Sequence, residues 1–258
     1  MSVAAKPKSS ELHPGPGFRI RNSVPRPAPE LIARFGEFQT PDISDLMNRL
    51  YTMSPSIRSV TPEHLTILGP ACTVKVFPGD NLMVHKALDI AAPGDVIVVD
   101  AGGSAMNAVL GDLISTKARH RGIIGFVVDG YVRDITDIIK LQDFPVYARG
   151  VTPIGPLHRG PGEVNYPIQC GGIVVQPGDI IAADQNGVVV IPQEIAATLL
   201  DRLLRRRDAE KDYIAAVGRG EFSNAWVDAL LLEGGCETAE LHADPQLEHT
   251  QASNERSK

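Results

Sequence analysis

Three short segments carry residue types from which a charge-stabilising site can be built: Asp100-Ala101-Gly102-Gly103, Gly111-Asp112-Leu113-Ile114 and Asp129-Gly130-Tyr131-Val132-Arg133-Asp134. Backbone amides at a helix start, near Gly111 to Ile114, can hold a carboxylate or a developing oxyanion. The planar guanidinium of Arg133 can donate to the same carboxylate or to an enolate. Asp134 and Asp112 are hard oxygen donors suited to Mg2+ or Mn2+, and magnesium usually needs only one or two protein carboxylates. Together these groups suit chemistry on a small 2-keto acid, with the metal as a Lewis acid that stabilises an enolate. The competing reading is plainer: an exposed Arg-Asp pair after a turn, and a Gly-Asp helix cap. Residue types alone leave both open.

The elements around these segments must bring them together. Val96 to Val99 and Ile123 to Val128 read as buried strands, and a helix runs from Gly111-Asp112 to about Arg121. That helix is about 15 Å long at roughly 1.5 Å per residue, and the strand returning to Asp129 covers about 20 Å at roughly 3.3 Å per residue. Helix start and strand end therefore fall on one side of the sheet, at the carboxyl edge where open α/β sheets place ligands. Upstream, Thr40-Pro41-Asp42 predicts a helix with Thr40 as N-cap, Ala71 to Phe77 a strand, and Leu82 to Ala92 a helix. Ile135 to Leu141 reads as a helix and Val146 to Ala148 as a short strand. Downstream, Gly171-Gly172, Pro177-Gly178 and Asn186-Gly187 mark tight turns, the last a hairpin between apolar runs. Pro192 then opens a long helix, Gln193 to about Val217. The sum is an α/β chain: a mixed sandwich or barrel-like sheet with helices outside.

The chain has 258 residues, 43% hydrophobic and 22% charged, enough for one substantial core. Met1 to Pro29 (residues 1–29) is Pro-, Ser- and Lys-rich and predicts an extended or disordered arm, which could wrap a neighbouring subunit. Residues 30–232 read as a single domain and 233–258 as a polar tail. The net charge is −6, with no basic excess for phosphates or a membrane surface, so no nucleic-acid and no membrane partner is expected. The basic cluster Arg202 to Arg207 is offset by Asp201, Asp208 and Glu210 on the same helix. Cys72, Cys170 and Cys236 form neither a zinc signature nor a disulfide framework, and no secretion signal is evident; a cytoplasmic location is expected. No GxGxxG follows a strand, and GxxxxGK[ST], the nucleophile elbow and HExxH are all missing. The seven histidines are scattered, and His85 on an apolar helix reads as structural. Lys75, inside a strand, is the candidate for a Schiff-base lysine, which would need an apolar pocket.

Five motifs in order carry a family resemblance: Gly69-Pro70-Ala71-Cys72-Thr73-Val74, Pro93 to Asp100, Gly111-Asp112-Leu113, Gly130 to Asp134, and Pro177-Gly178-Asp179 before Asp184 to Pro192. Over about Asp42 to Gly218 the chain resembles the RraA-like family, which includes class II 4-hydroxy-4-methyl-2-oxoglutarate / 4-carboxy-4-hydroxy-2-oxoadipate aldolases. The resemblance implies an α-β-β-α sandwich like the phosphohistidine domain of pyruvate phosphate dikinase. It also implies a homotrimer, or a hexamer of two trimers, with active sites at subunit interfaces. The implied activity is a divalent-metal-dependent carbon–carbon lyase. It would cleave a 4-hydroxy-2-oxo diacid to pyruvate and a second oxo acid, with oxaloacetate decarboxylation as a side activity. By the family's pattern Gly111, Asp112, Leu113 and Ile114 bind the pyruvate-like end of the substrate, and Arg133 its carboxylate and enolate oxygen. Asp134 is then the metal ligand for Mg2+ or Mn2+, with Asp112 ordering water on it. A glutamate from a neighbouring subunit's C-terminal helix matches Glu210, with Asp208 close in register.

Two other functions fit the same resemblance. One is a non-catalytic regulator that binds a ribonuclease; the intact Arg133-Asp134 pair and the long helix through Glu210 speak against it. The other is a related metal-dependent lyase on another 2-oxo acid, since the groups gripping the distal end lie in variable loops, where His158 and Arg159 are candidates.

Overall fold

The computed structural model describes residues 11–237. Residues 1–10 and 238–258, the outer parts of the expected arm and tail, lie outside the described residues. In chain order the first elements are β1 (Phe18–Ile20), α1 (Pro29–Arg34), α2 (Thr40–Leu46), β2 (Arg58–Ser59), β3 (Ile67–Val76) and α3 (Leu82–Ile90). β4 (Val96–Ala108), α4 (Asp112–His120), β5 (Gly125–Val132), α5 (Ile135–Ile139) and β6 (Val146–Val151) form the middle of the chain. Then come β7 (Gly162–Val164), β8 (Ile168–Cys170), β9 (Ile173–Val175), β10 (Ile180–Asp184), β11 (Gly187–Ile191), α6 (Ala196–Gly218) and α7 (Ala225–Glu233).

The fully apolar runs are strands buried on both faces, and their alternation decides the layering. Ile97 and Val99 of β4, with Phe126 and Val128 of β5, pack on Val84, Ala87 and Leu88 of α3 and on Ile114 and Ala118 of α4. The residues between them, Val96, Val98 and Val127, point the other way, onto Ile181 and Ala183 of β10 and Val188 and Val190 of β11. The opposite face of that hairpin, Ile180, Ala182, Val189 and Ile191, packs under Ile32 and Ile43 and under Leu199, Leu200 and Leu203 of α6. Three apolar interlayers thus separate helices, sheet, sheet and helices: an α-β-β-α sandwich. Burying each Val or Ile contributes about 1.5–3 kcal/mol.

β3 joins the two sheets. Its first residues pair antiparallel with β10, Ile180 opposite Pro70, while Ala71 to Lys75 pair parallel with β4. The main sheet runs β1-β7-β3-β4-β5-β6-β2, and β4, β5 and β6 are parallel, so their carboxyl ends share one edge. The β10–β11 hairpin closes with Asp184 opposite Gly187.

Three sequence expectations change in detail. Thr40 does not cap α2: Gln39 holds that position, and the Thr40 hydroxyl instead donates to Asp184 Oδ1 at 2.7 Å, tying helix to hairpin. β4 does not stop at Asp100 but continues to Ala108, with register shifts against β5 at Asp100/Ser104 and Ser104/Ala108. The described part of the expected arm is extended, and it is joined to the sheet. β1 pairs with β7, and Arg26 makes a two-pronged bond, 2.7 Å on each side, to the buried carboxylate of Asp95.

The chain divides into two units, one through Asp208 and one from Ala209, where the sequence placed one domain over 30–232. The second unit holds the end of α6 and α7, and exposes Tyr213, Ile214, Trp226 and Leu230. No helix among the described residues is long and apolar enough to cross a membrane.

Candidate active site

At the carboxyl edge, on the helix-covered face of the sheet, a cleft of about 260 Å³ opens between the start of α4, the β5–α5 junction and the loop after β6. Its lining includes Gly111, Asp112, Leu113, Ile114, Arg133 and Asp134. The volume is roughly nine waters' worth of liquid, which suits a small metabolite.

Backbone turns rather than long side chains set this geometry. Ser115 N–H and Oγ both donate to the Gly111 carbonyl, at 3.1 and 3.0 Å, and begin α4. The amides of Asp112, Leu113 and Ile114 precede that bond and have no carbonyl to reach within the helix. They carry the positive end of the helix dipole. Asp134 sits in the left-handed region, φ 58° and ψ 35°, and its carbonyl accepts from the amides of Asp137 and Ile138 in α5, at 3.0 Å. A non-glycine residue held there is strained, and such strain concentrates at functional sites. The turn lays the Asp134 carboxylate over Gly111, where a Cβ would come within 2.3 Å of Oδ2. Only glycine fits. The Arg133 amide donates to Leu110 O at 3.0 Å, its Nε lies 3.2 Å from Asp134 Oδ2, and its guanidinium rests on Gly155.

The far wall holds two groups the sequence reading did not collect, Asn81 and Lys117, beside His85, read as structural, and His158, a candidate for the distal end. All four line the cleft. Asn81 and His85 share one side of α3 at an i, i+4 spacing, the one sequence signal that links any of them. Burial, His158 and Lys117 push the His85 pKa below its ordinary value, so the ring is neutral near pH 7. Of the two candidates for the distal end, His158 lies in the cleft. Arg159 is absent from its lining, and its backbone amide donates to Asp80 Oδ2 at 2.6 Å.

The first expected segment goes elsewhere. Asp100 reaches the same edge on the other face of the sheet, where its carboxylate meets Lys75 Nζ at 3.2 Å. Lys75 is thus ion-paired and about half exposed, not sunk in an apolar pocket, which removes the basis for a Schiff-base role. Asp129, opposite Asp100 in register, is bound by Arg149 and by the Gly171 amide at 2.7 Å. Glu210 and Asp208 fall on either side of the unit boundary on α6.

The hard-oxygen donors in the cleft are Asp134 and Asp112, and among the described residues no group of three or more His, Cys, Asp or Glu forms a closed cage. That donor set fits a water-rich Mg2+ or Mn2+, which takes few protein ligands.

A cleft at strand carboxyl ends, lined by helix-start amides, an arginine and a strained aspartate, has the donors to take a small anion on an α-β-β-α scaffold. The chain belongs to the RraA-like family, whose Aldolase/RraA profile matches residues 40–190. A relative from Halalkalibacterium halodurans, provisionally named a 4-hydroxy-4-methyl-2-oxoglutarate aldolase, is 40% identical over 178 residues, 69% of this chain and 84% of its own. An uncharacterized protein from Pseudomonas syringae superposes with a TM-score of 0.68 at 29% identity, over 77% of this chain and 97% of that one. The RNA-processing inhibitor RraA from Thermus thermophilis superposes at 0.55 and 32% identity, over 60% of this chain and 93% of that one.

Proposed function

We propose that the protein is a divalent-metal-dependent aldolase that releases pyruvate from a 4-hydroxy-2-oxo diacid, with oxaloacetate decarboxylation as a side activity. The observation that carries it is the convergence of Arg133, Asp134 and the amides of Gly111 to Ile114 on one small cleft. The provisional aldolase name of the Halalkalibacterium relative supports the same reading.

The amides of residues 112–114 bind the substrate's carboxylate at its pyruvate end. Arg133 donates to that carboxylate and to the C2 oxygen. Asp134, with Asp112 ordering water beside it, would hold a Mg2+ or Mn2+, which when bound would supply Lewis-acid chemistry. Asp112 and Glu210 of a neighbouring subunit, in a homotrimer or hexamer, hold the water that takes the proton from the C4 hydroxyl. The C3–C4 pair then moves onto the C2 carbonyl, the second oxo acid departs, and protonation at C3 gives pyruvate. Arg133 stabilises the enolate while it lasts.

A pyruvate-release assay on 4-hydroxy-4-methyl-2-oxoglutarate and oxaloacetate tests this. Release abolished by EDTA and restored by Mg2+ or Mn2+ is the expected result, and activity that survives thorough chelation removes the metal from the mechanism. The similarity to the Thermus inhibitor favours a second reading, a ribonuclease-binding regulator. Ribonuclease capture with no pyruvate release from any 2-oxo diacid would select it.

A further inference from the structure

The groups that read charge in the cleft are donors: the α4 amides, Arg133 and Lys117. They recognise carboxylates and oxyanions, and none of them distinguishes a substrate with a hydroxyl at C4 from one without. The far wall supplies what they lack.

Asn81 is 1% exposed and its Nδ2 donates to the Val109 carbonyl at 2.9 Å. Its Oδ1 is therefore the acceptor left for His158 Nδ1, 2.6 Å away. An amide oxygen cannot donate, so the imidazole must carry its proton on Nδ1. In the neutral ring Nε2 is then a lone-pair acceptor. The ring is also braced. His85 meets it edge to face, with centroids 5.5 Å apart. The backbone on either side is anchored, Leu157 N–H to Gly79 O at 2.7 Å and Arg159 N–H to Asp80. The same loop carries Gly155, on which the Arg133 guanidinium rests, so Nε2 and the guanidinium are positioned by one piece of chain.

We propose that His158 is a specificity-determining residue whose Nε2 accepts a hydrogen bond from the substrate's 4-hydroxyl in the ground-state complex, selecting 4-hydroxy-2-oxo acids on binding. The assignment rests on the aldolase reading, and it separates that enzyme's two activities. Oxaloacetate has no 4-hydroxyl to present.

The test is His158→Phe, which keeps a ring and removes the acceptor. Cleavage of 4-hydroxy-4-methyl-2-oxoglutarate should fall at least about tenfold in kcat/KM, the effect of losing one hydrogen bond, and several-fold more than oxaloacetate decarboxylation does. Equal losses on both substrates overturn the proposal. Two measurements make it independent of turnover. In the metal-free full-length protein, 15N shifts of His158 should show the Nδ1–H tautomer, and an Nε2–H tautomer overturns it. Calorimetry under EDTA should show 4-hydroxy-2-oxoglutarate bound more tightly than 2-oxoglutarate by wild type, a preference that His158→Phe abolishes. If wild type shows that preference but releases no pyruvate, the aldolase reading fails and hydroxyl recognition stands. No preference, or no binding of either acid, overturns the proposal.

Discussion

Two arginine–aspartate pairs stand at the ends of the same strands and do different work. Asp129 and Arg149 lie on the face of the sheet toward β8, and Asp134 and Arg133 lie on the face covered by α4. Asp129 stands opposite Asp100, and Lys75 opposite Asp100 in turn, so two carboxylates adjoin in one row flanked by Lys75 and Arg149. Like charges directly opposite are unfavourable, and the flanking cations offset them. Both oxygens of Asp129 are engaged, one by Arg149 and the other by the Gly171 amide, and its side chain is 8% exposed. Asp134 is 36% exposed and meets only Arg133 Nε, at 3.2 Å, in the bonds described for its side chain. A saturated pair holds structure; an unsaturated, strained pair facing a cleft is available for a ligand. Residue type does not separate them, but coordination does.

Substitutions should split along that line. Arg133→Ala or Asp134→Ala should cut pyruvate release about a hundredfold to a thousandfold, as loss of an oxyanion-stabilising group does, with an unchanged melting temperature. A loss below tenfold would erase the contrast. Gly111→Ala should follow closely, at about a hundredfold, because its Cβ would displace the Asp134 carboxylate by an ångström or so. Crystallography of that variant should show the carboxylate rotated away. Arg149→Ala should do the reverse, lowering unfolding stability by about 3 kcal/mol by leaving buried Asp129 uncompensated, while the folded fraction keeps its kcat. Urea titration beside steady-state kinetics separates the two.

The smallest effect concerns pH. His85 is held neutral in the fold, with a pKa below its ordinary 6.5. On acidification the unfolded chain therefore takes up this proton first, and stability contributed by the neutral ring, complete above the unfolded pKa, is lost as pH falls below it. Between about pH 7.5 and pH 5 the wild type should lose more stability than His85→Gln. Equal slopes would show that the ring titrates as it does in the unfolded chain.

How much of this was legible in the chain follows the range of the interactions. Val96 to Val99 read as a strand, and the runs flanking Asn186-Gly187 as a hairpin, because burial on both faces leaves uninterrupted apolar stretches. The nearness of Gly111 to Arg133-Asp134 was also legible, since a helix and its returning strand have calculable lengths. Thr40 was misread as a cap because its partner, Asp184, lies on a hairpin 144 residues away. Asp100 was drawn into the site because a sheet edge has two faces, and counting along a strand does not say which face its neighbours leave open.

What the amino-acid order settled by itself is therefore the central strands and helices, their burial on one or both sides, and the meeting of one helix start with one strand end. These depend on local periodicity and chain length. Packing alone decided which carboxylates would be saturated and which nitrogen of His158 would carry the proton. Asn81 reaches Val109 across 28 residues and His158 across 77. A tautomer imposed by two such partners is a property of three segments brought side by side, and none of them encodes it separately.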